Sequence, residues 1–493
     1  MADKKQFRFG QQVSDEELEQ TLLHLKEDCQ TEIKEAKQLP KSFWETYSSF
    51  SNTDGGDVVL GVREDSPVNE LVGLSNTNQV LKDLWNGLSN PNKVNIRILQ
   101  NSDVITRKIG DKEFVFIRVP EAHFHQKPIY LNGKLDNTYI RTGDGDRKAT
   151  NNEVATMMRN QSRNADSQVA KGMGIADLDP LTLAKFKNVI NSRYPAQHFA
   201  TFTDEEFLIR LGGAVRNRES GEFELFTGTI LLLGKTNVIS ELFPHFHLDY
   251  FEFDPSSENR WTFRISDNDY LIEEINLFSF FEKVLNRISA IVKEPFGLDD
   301  NIVRKPDGGV TLRALREALV NSLIHSDYQI ADSSVRIEVR QGQFTFKNPG
   351  QMLIPEDSFF VGGHSVVRNE VLMKLFSAAG FSERQGFGGS QIFSSSSARD
   401  YKLPEIKTSL TQTELLFWTE PAHQTEQVQN DYERFVLNIF KENANIRYSF
   451  SQLKEKTHLG EYRLRKTLNK LQQKQQIEMQ GAGRGTTYGL LEN

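Results

Sequence analysis

The feature that most constrains the fold is a change of hydrophobic period across a glycine turn. Phe43, Tyr47 and Phe50 recur at the i, i+4 and i+7 spacing of one helix face. The sequence Thr-Asp-Gly-Gly follows, and then a short apolar run that is typical of a buried strand. A helix that turns directly into a buried strand predicts an α+β domain, in which the two glycines supply the backbone angles of the turn.

At 493 residues the chain is longer than one ordinary domain, and we expect a multidomain α+β protein. Two polar stretches without periodicity, at residues 163–180 and 419–429, are interpreted as linkers. The predicted divisions are an N-terminal α+β domain at 1–162, a linker and intermediate α+β region at 163–300, an α/β sandwich module at 301–420 and a winged helix-turn-helix at 430–493.

Cysteine content and hydropathy exclude several classes of protein. Cys29 is the only cysteine, so an internal disulfide and a multi-cysteine zinc site are impossible. No apolar run approaches the ~20 residues that span a bilayer, and the first residues lack the apolar region of a signal peptide. These features predict a cytoplasmic protein without a membrane partner. The net charge of −8 argues against a small DNA-coating protein but allows local basic faces.

The C-terminal segment has the pattern of a winged helix. Ser449 followed by Gln452 is a capping-box pattern that begins a helix. The next helix has a leucine face with basic residues around it, and two strands joined by a glycine-rich loop follow. The helix would lie in a DNA major groove, and an arginine in the loop would reach phosphate or the minor groove. The alternative is a winged helix that makes protein contacts. The candidate DNA-binding residues are Arg463, Arg465, Lys466 and Arg484.

The middle of the chain indicates a nucleotide site, although no P-loop motif is present. Glu317 and Asn321 are four residues apart and share one helix face. Asn321 can hold Mg²⁺ through its side-chain oxygen, and Glu317 can orient water toward a terminal phosphate. The sequence FKNPG places a glycine turn where a purine would lie, and QGFGGS offers backbone N–H groups to phosphates. The alternative is an asparagine that packs a helix, with ordinary turn glycines.

The N-terminal domain contains a candidate acidic site. Glu32 and Lys34 share one face of a predicted strand, and Glu27 precedes them by a few residues. Glu64 or Asp65, directly after the apolar strand, would bring a third carboxylate to the same place. Such a cluster can hold Mg²⁺ or Mn²⁺ and activate water at a phosphodiester, while the lysine neutralises developing charge. The alternative is a solvated acidic edge paired with Lys34.

Basic residues interleaved with tyrosines follow later in the same domain, and they suit a face that binds a nucleic-acid backbone. The residues concerned are Lys127, Lys134, Arg141, Arg147 and Lys148.

Three motifs in order, REALVNSLIHSDY, FKNPG and RQGFGGSQI, resemble the GHKL ATPase fold. The resemblance is closer to the GHKL-like C-terminal module of bacterial proteins that carry a Schlafen AlbA-like domain. It implies ATP as ligand, with base and magnesium roles for Glu317 and Asn321. The usual adenine turn begins with aspartate where this chain has Asn348, whose amide oxygen can still accept a bond from the adenine amino group. The implied adenine turn and phosphate loop contain Asn348, Gly350, Gly386, Gly388 and Gly389.

The N-terminal domain resembles the Schlafen AlbA-like domain over most of residues 20–160. The resemblance lies in the pattern E-x-x-x-x-E-x-K, in FWETYSSFSNTDGGDVVLGVRED and in KPIYLNGKLDNTYIRTGDGDRKA. In that family two glutamates, the lysine and a following acid form a metal-dependent ribonuclease site acting on tRNA and other RNA. Many bacterial relatives with the same acids are described as DNA-binding regulators. By position the implied site residues are Glu27, Glu32, Lys34 and Glu64, with Asp65 as the alternative to Glu64.

Two functions from different classes follow, and both involve ATP and RNA or DNA. The first is an ATP-gated, metal-dependent endonuclease acting on RNA. This hypothesis includes weak ATPase activity and a role in anti-phage defence. The second is a transcriptional regulator that binds DNA, senses ATP and does not cut. A scaffold whose nucleotide fold controls oligomerisation is a third interpretation, and a homo-oligomer is implied by the resemblance alone.

Overall fold

The structure is a computed structural model, and it divides into two compact units, Met1–Ser162 and Arg163–Asn493. We call them the N-terminal unit and the second unit. The residues that the structure describes are 9, 13–161, 165–254, 260–269, 272–292, 309–363, 365–382, 386, 388–399, 401–420, 426–442, 446–457, 459, 461–481 and 486–491.

The N-terminal unit is an α+β unit built on a four-stranded sheet. Its elements are α1 (Asp15–Leu23), β1 (Thr31–Lys34), α2 (Phe43–Asn52), β2 (Gly56–Leu60), β3 (Val62–Arg63), β4 (Glu70–Leu71), α3 (Thr77–Leu88), β5 (Val104–Ile109), β6 (Lys112–Val119), β7 (Tyr139–Thr142), β8 (Gly145–Lys148) and α4 (Asn151–Gln161).

The sheet has the order β1-β2-β6-β5, in which β1 and β2 are parallel and the other pairs are antiparallel. Successive residues of β2 enter different cores, because side chains alternate between the faces of a strand. Val58 and Leu60 pack with α2, whereas Val59 packs with α1. The predicted face of α2 is confirmed, since Phe43, Tyr47 and Phe50 are fully buried.

Glycine is required at both positions of the turn between α2 and β2. Gly55 has a φ of +72°, and a Cβ there would lie 2.8 Å from the carbonyl oxygen of Val119. A Cβ at Gly56 would lie 2.6 Å from the ring of Phe50. The turn brings β2 alongside β1, with Val58 opposite Glu32.

The second unit contains a six-stranded sheet, helices against it and a tail module, which we define as residues 426–491. The elements before the tail module are α5 (Pro180–Arg193), α6 (Asp204–Leu211), β9 (Ala214–Arg216), β10 (Phe223–Leu225), α7 (Thr227–Leu233), α8 (Thr236–Leu242), β11 (Leu248–Phe253), β12 (Trp261–Ser266), α9 (Leu277–Ile291), α10 (Val310–Ile324), β13 (Val335–Arg340), β14 (Gln343–Pro349), α11 (Glu356–Val361), α12 (Glu370–Ala378), α13 (Gly388–Ala398), β15 (Glu405–Thr408) and β16 (Gln412–Trp418).

Strands from both sides of residue 300 share one sheet, whose order is β12-β11-β13-β14-β16-β15. β11 runs parallel to β13, and the remaining neighbours are antiparallel. Helices α9, α10 and α12 bury their apolar faces in the same core as Tyr250 of β11 and Ile337 of β13. The intermediate region and the predicted sandwich module therefore have a common hydrophobic core.

The tail module has helices and strands in the order expected for a winged helix. Ser449 and Gln452 form the predicted capping box, with backbone-to-side-chain bonds of 2.8 and 3.3 Å. No helix in the described parts of the chain is long and apolar enough to cross a bilayer. The elements of the tail module are α14 (Glu426–Glu442), β17 (Tyr448–Ser449), α15 (Phe450–Thr457), α16 (Glu461–Gln473), β18 (Ile477–Gln480) and β19 (Thr487–Leu490).

Two predicted strands are absent from the part of the chain that the structure describes. TGTILLLG, which we expect to be a buried strand, forms helix α7, and every residue from Thr227 to Leu233 is buried. A short run that is buried on all sides lacks the period that separates helix from strand. NIRILQ, residues 95–100, is also expected to be a strand but contains no regular element. Part of this segment instead lies against α2, because the hydroxyl of Tyr47 on that helix accepts a hydrogen bond from the N–H of Ile98 at 2.8 Å.

Candidate functional sites

Glu32 lies at the centre of the candidate acidic site and contacts two positively charged side chains. Its Oε1 accepts a hydrogen bond from Nζ of Lys34 at 2.5 Å, as expected for neighbours on one strand face. Its Oε2 lies 2.9 Å from Nη2 of Arg141. Glu32 is only 6% exposed, so these two ion pairs balance a charge that has little access to water.

Arg141 connects Glu32 to helix α2. Its Nη1 donates to Oδ1 of Asp146 at 2.9 Å, and its guanidinium lies 5.0 Å from the ring centre of Phe50. Asp146 accepts hydrogen bonds of 2.6 Å from the hydroxyls of Thr46 and Ser49 on α2. A continuous polar network therefore runs from β1 through β7 and β8 to α2.

Glu27 belongs to the same electrostatic environment. Its Oε1 accepts the N–H of Ile33 at 3.0 Å, which holds the carboxylate against the start of β1. Burial raises the pKa of Glu27 above its ordinary value, and the charges of Glu32 and Glu64 raise this pKa further. Asp65 is exposed and caps a local turn, because its Oδ1 accepts the N–H of Ser66 at 2.8 Å.

The structure thus brings together Glu27, Glu32 and Lys34, with Glu64 close enough to influence Glu27. The described residues contain no group of three His, Cys, Asp or Glu side chains arranged to hold a metal ion. Glu32 has both carboxylate oxygens in ion pairs with Lys34 and Arg141. A divalent ion at Glu32 would therefore have to displace Lys34 or Arg141 from its carboxylate oxygens.

The five basic residues expected to bind a nucleic-acid backbone do not form one surface. Lys127 is 2% exposed and donates to Glu121 at 2.7 Å, and Arg141 is buried beside Glu32. Both side chains balance acids within the fold and do not face solvent. Lys134, Arg147 and Lys148 are exposed, although Arg147 pairs with Glu153 at 2.7 Å and Lys148 donates to Asn137 at 3.2 Å.

The candidate nucleotide residues surround a cavity beside α10. Nδ2 of Asn321 donates to Oε1 of Glu317 at 3.2 Å, so the amide oxygen of Asn321 points away from Glu317. A donor set of one amide oxygen and one carboxylate suits Mg²⁺ with a phosphate group. The cavity has a volume of about 90 Å³. The predicted residues that line it are Glu317, Asn321, Asn348, Gly386, Gly388 and Gly389.

Gly350 shapes the end of β14 from outside the cavity lining. It has a φ of +99°, and its N–H donates to the carbonyl of Thr411 at 2.8 Å. A Cβ at Gly350 would lie 3.1 Å from Nη2 of Arg368. The glycine therefore permits both the backbone turn and the approach of the arginine.

Thr413 and His325 also line the cavity, and neither belongs to the sequence-based site. Thr413 of β16 is paired with Asn348 of β14, and its hydroxyl donates to the carbonyl of Gly350 at 2.8 Å. His325 ends α10, and burial and the charge of Arg368 lower its pKa to about 4. His325 therefore offers a neutral ring to the cavity near pH 7. Only the register of β14 with β16 identifies Thr413, and no local motif indicates it.

The predicted DNA-binding residues of the tail module lie on or after α16. Arg465 stacks its guanidinium on Phe450 at 4.4 Å. Arg463 and Lys466 lie on α16, but their side chains are outside the described residues, as is the whole of Arg484.

Residues 27–150 match the family described as "Schlafen, AlbA_2". The chain carries a Schlafen AlbA_2 domain. Downstream of this AlbA_2 domain, residues 332–417 match the family "Putative ATP-dependent DNA helicase recG C-terminal". Both resemblances predicted from the motifs are thereby confirmed, and the two domains indicate a nucleic-acid-related, ATP-linked protein of α+β fold. Residues 155–249 match a domain of unknown function (DUF8451).

Two solved structures are similar to this chain. The DIP2311 protein of Corynebacterium diphtheriae is 17% identical, with 93% of this chain and 91% of that chain covered and a TM-score of 0.43. The other is the N-terminal domain of a "Putative ATP-dependent DNA Helicase RecG-related Protein" of Nitrosomonas europaea. It is 29% identical, covers 26% of this chain and 86% of its own, and has a TM-score of 0.20. No curated protein matches this chain.

Proposed function

We propose that the protein acts on nucleic acid in response to ATP, and that it cleaves RNA, including tRNA, in a metal-dependent reaction. The main support is the position of Glu27 and Glu32 at β1, where Glu27 accepts the N–H of Ile33 and Glu32 accepts a hydrogen bond from Lys34. Burial raises the pKa of Glu27, and the charges of Glu32 and Glu64 raise this pKa further. Carboxylates in such a field favour a nearby cation, for which Mg²⁺ or Mn²⁺ is the expected class. Perturbed acids that share a site are candidates for catalysis.

Lys34 is the residue that RNA would engage first. Its side chain is 20% exposed, so a phosphodiester can compete with Glu32 for its ammonium group. When Lys34 turns to phosphate, Oε1 of Glu32 loses its 2.5 Å partner while Oε2 keeps Arg141. RNA binding would thus free one oxygen of Glu32 beside Glu27 and place a positive charge on the scissile group.

ATP is the proposed regulator. Asn321 would hold Mg²⁺ with the nucleotide, and backbone N–H groups near Gly386, Gly388 and Gly389 would receive its phosphates at the start of α13. Glu317 would orient water if the site is a weak ATPase. A homo-oligomeric state and a role in anti-phage defence belong to this proposal and depend on the resemblance. A cytoplasmic location also belongs to it and depends on the single cysteine of the sequence.

Cleavage of labelled tRNA with Mn²⁺ or Mg²⁺ tests the nuclease. We expect wild type to cut and EDTA to stop it, because the acids require a cation. Glu32→Ala should reduce cutting by at least about 100-fold, within the range that one catalytic group contributes. The matched control is Glu35→Ala, which removes a nearby acid that pairs on the surface with Arg63. Absence of cutting with either ion, or equal cutting by Glu32→Ala, would contradict the proposal.

A DNA-binding regulator that does not cut is the second candidate. It is favoured by the two cationic side chains beside Glu32, Lys34 and Arg141, which balance the charge of its carboxylate without a metal. The tail module, with its winged-helix order of elements, would read the DNA. Binding to a palindromic duplex without cleavage, with affinity that falls steeply with salt, would support this candidate. A protein without nucleic-acid affinity even at low salt would leave only the scaffold interpretation.

A further inference from the structure

Four phenylalanine rings connect the wall of the nucleotide cavity to the tail module. Phe359 of α11 lines the cavity, and its ring centre lies 5.0 Å from that of Phe360. Phe360 lies 5.8 Å from Phe393 of α13. Phe393 stacks on Phe435 of α14 at 3.8 Å, with 25° between the rings. Because Phe393 and Phe435 belong to one buried cluster, the tail module packs on the helices that wall the cavity.

The start of α13 forms one wall of this cavity. A Cβ at Gly388 would lie 2.2 Å from Oε1 of Glu317, and a Cβ at Gly389 would lie 2.0 Å from the carbonyl oxygen of Phe359. The helix therefore touches both α10 and α11 at the position where phosphates are expected. The resulting volume of about 90 Å³ is well below the ~300–1,000 Å³ of ordinary ligand sites.

Because Gly388 and Gly389 lie against Glu317 and Phe359, phosphates at this position require the start of α13 to separate from α10 or α11. Phe393 follows Gly388 by five residues on the same helix, which is little more than one turn. A shift of the glycines therefore moves the ring on which Phe435 stacks. Closely packed interfaces lose contacts when their parts separate, even by a fraction of an ångström. Opening of the cavity and packing of the tail module consequently oppose each other.

We propose that ATP binding releases the tail module from α11 and α13, and that the docked tail module holds the nucleotide site closed. This inference rests on the proposed ATP binding and adds its regulation. In the docked state Phe435 stabilises the closed cavity through Phe393. In the nucleotide-bound state the tail module is free to meet its own partner. Since coupling between two binding events is reciprocal, ATP must weaken docking by the same factor by which docking weakens ATP binding, and a variant with weaker docking must bind ATP more tightly.

Calorimetric titration of the full chain with Mg²⁺ and ATP tests the coupling. Phe435→Ala removes the ring that stacks on Phe393, and we expect it to tighten ATP binding by about fivefold or more. Phe253→Ala is the matched control, because this phenylalanine lies on β11 under Arg340 and outside the row of four rings. Its affinity should equal that of wild type.

Equal or weaker binding by Phe435→Ala would overturn the coupling and leave the proposed ATP binding intact. ATP binding by Phe435→Ala but not by wild type would support the coupling, because the docked tail module would then exclude ATP from the wild-type site. Absence of binding by wild type and variant would remove the ATP proposal and the coupling together. If Phe435→Ala does not fold, hydrogen exchange of wild type decides: ATP should accelerate exchange in α14, and unchanged or slower exchange would overturn the inference.

Discussion

The guanidinium of Arg141 lies 2.9 Å from the carboxylate of Glu32, and the two residues are only 9% and 6% exposed. A buried ion pair need not add net stability, because the loss of hydration offsets the attraction. Removing one partner is costly, since the other charge stays buried without compensation. Arg141 also pairs with Asp146, so its loss would affect two acids.

Arg141→Met is therefore expected to lower the free energy of unfolding by about 3–5 kcal/mol. Urea unfolding followed by tryptophan fluorescence measures the change. Arg147→Met is the matched control, because 44% of the Arg147 side chain is exposed and such pairs contribute about 0–1 kcal/mol. A loss for Arg141→Met as small as that of the control would show that the pair is dispensable.

His247 lies between Asp249 and Asp267, at 2.9 and 2.6 Å from their carboxylates. Hydrogen bonds to Asp249 and then to Asp267 raise the pKa of His247 to about 10. Because this pKa exceeds the ordinary value of 6.5, the stabilisation is complete below pH 6.5 and is lost as the pH rises toward 10. His247→Gln should thus reduce urea resistance more at about pH 6 than at about pH 10.

The exposed neighbour His245 supplies the control for this pH series, as His245→Gln. We expect its urea midpoint to follow that of wild type across the range. A deficit of His247→Gln that stays constant from low to high pH would contradict the assignment of the charge to His247.

Asp166 is 1% exposed and accepts the N–H groups of Val371 at 3.1 Å and Leu372 at 2.8 Å, at the start of α12. Burial raises its pKa from 3.8 to about 6. Folding therefore disfavours the ionised form, so the contribution of Asp166 to stability is greatest below about pH 4 and is lost as the pH rises through 6. From below pH 4 to above pH 6, the free energy of unfolding of wild type should fall by about 3 kcal/mol relative to that of Asp166→Asn. Urea unfolding at each pH measures this difference. Parallel profiles would contradict this.

Alanine at two adjacent glycines should have unequal effects. A Cβ at Gly389 would meet the backbone oxygen of Phe359, which can move only if α11 moves. A Cβ at Gly388 would meet the carboxylate end of Glu317, which can rotate. We expect Gly389→Ala to cost about 1–3 kcal/mol and Gly388→Ala less, in thermal unfolding of the full chain. A larger cost for Gly388→Ala would contradict the packing described for α13.

Local spacing was sufficient to predict the parts of each site that lie on one element. Glu32 and Lys34 are two apart on a strand, and Glu317 and Asn321 are four apart on a helix, so each pair meets as expected. The role of Arg141 was not predictable in this way. Its charge is visible in the sequence, but its partner Glu32 is reached only through tertiary packing.

The shared sheet of the second unit limits how the chain can be divided. A fragment that begins at residue 301 would lack β11 and β12 and would leave the side of β13 that pairs with β11 without its neighbour. Unpaired strand edges template association with other chains, so such a fragment should be prone to aggregation. The two segments on either side of residue 300 must therefore be present in the same polypeptide. A protein in which either segment is exchanged for an unrelated one would lack strands that its six-stranded sheet requires.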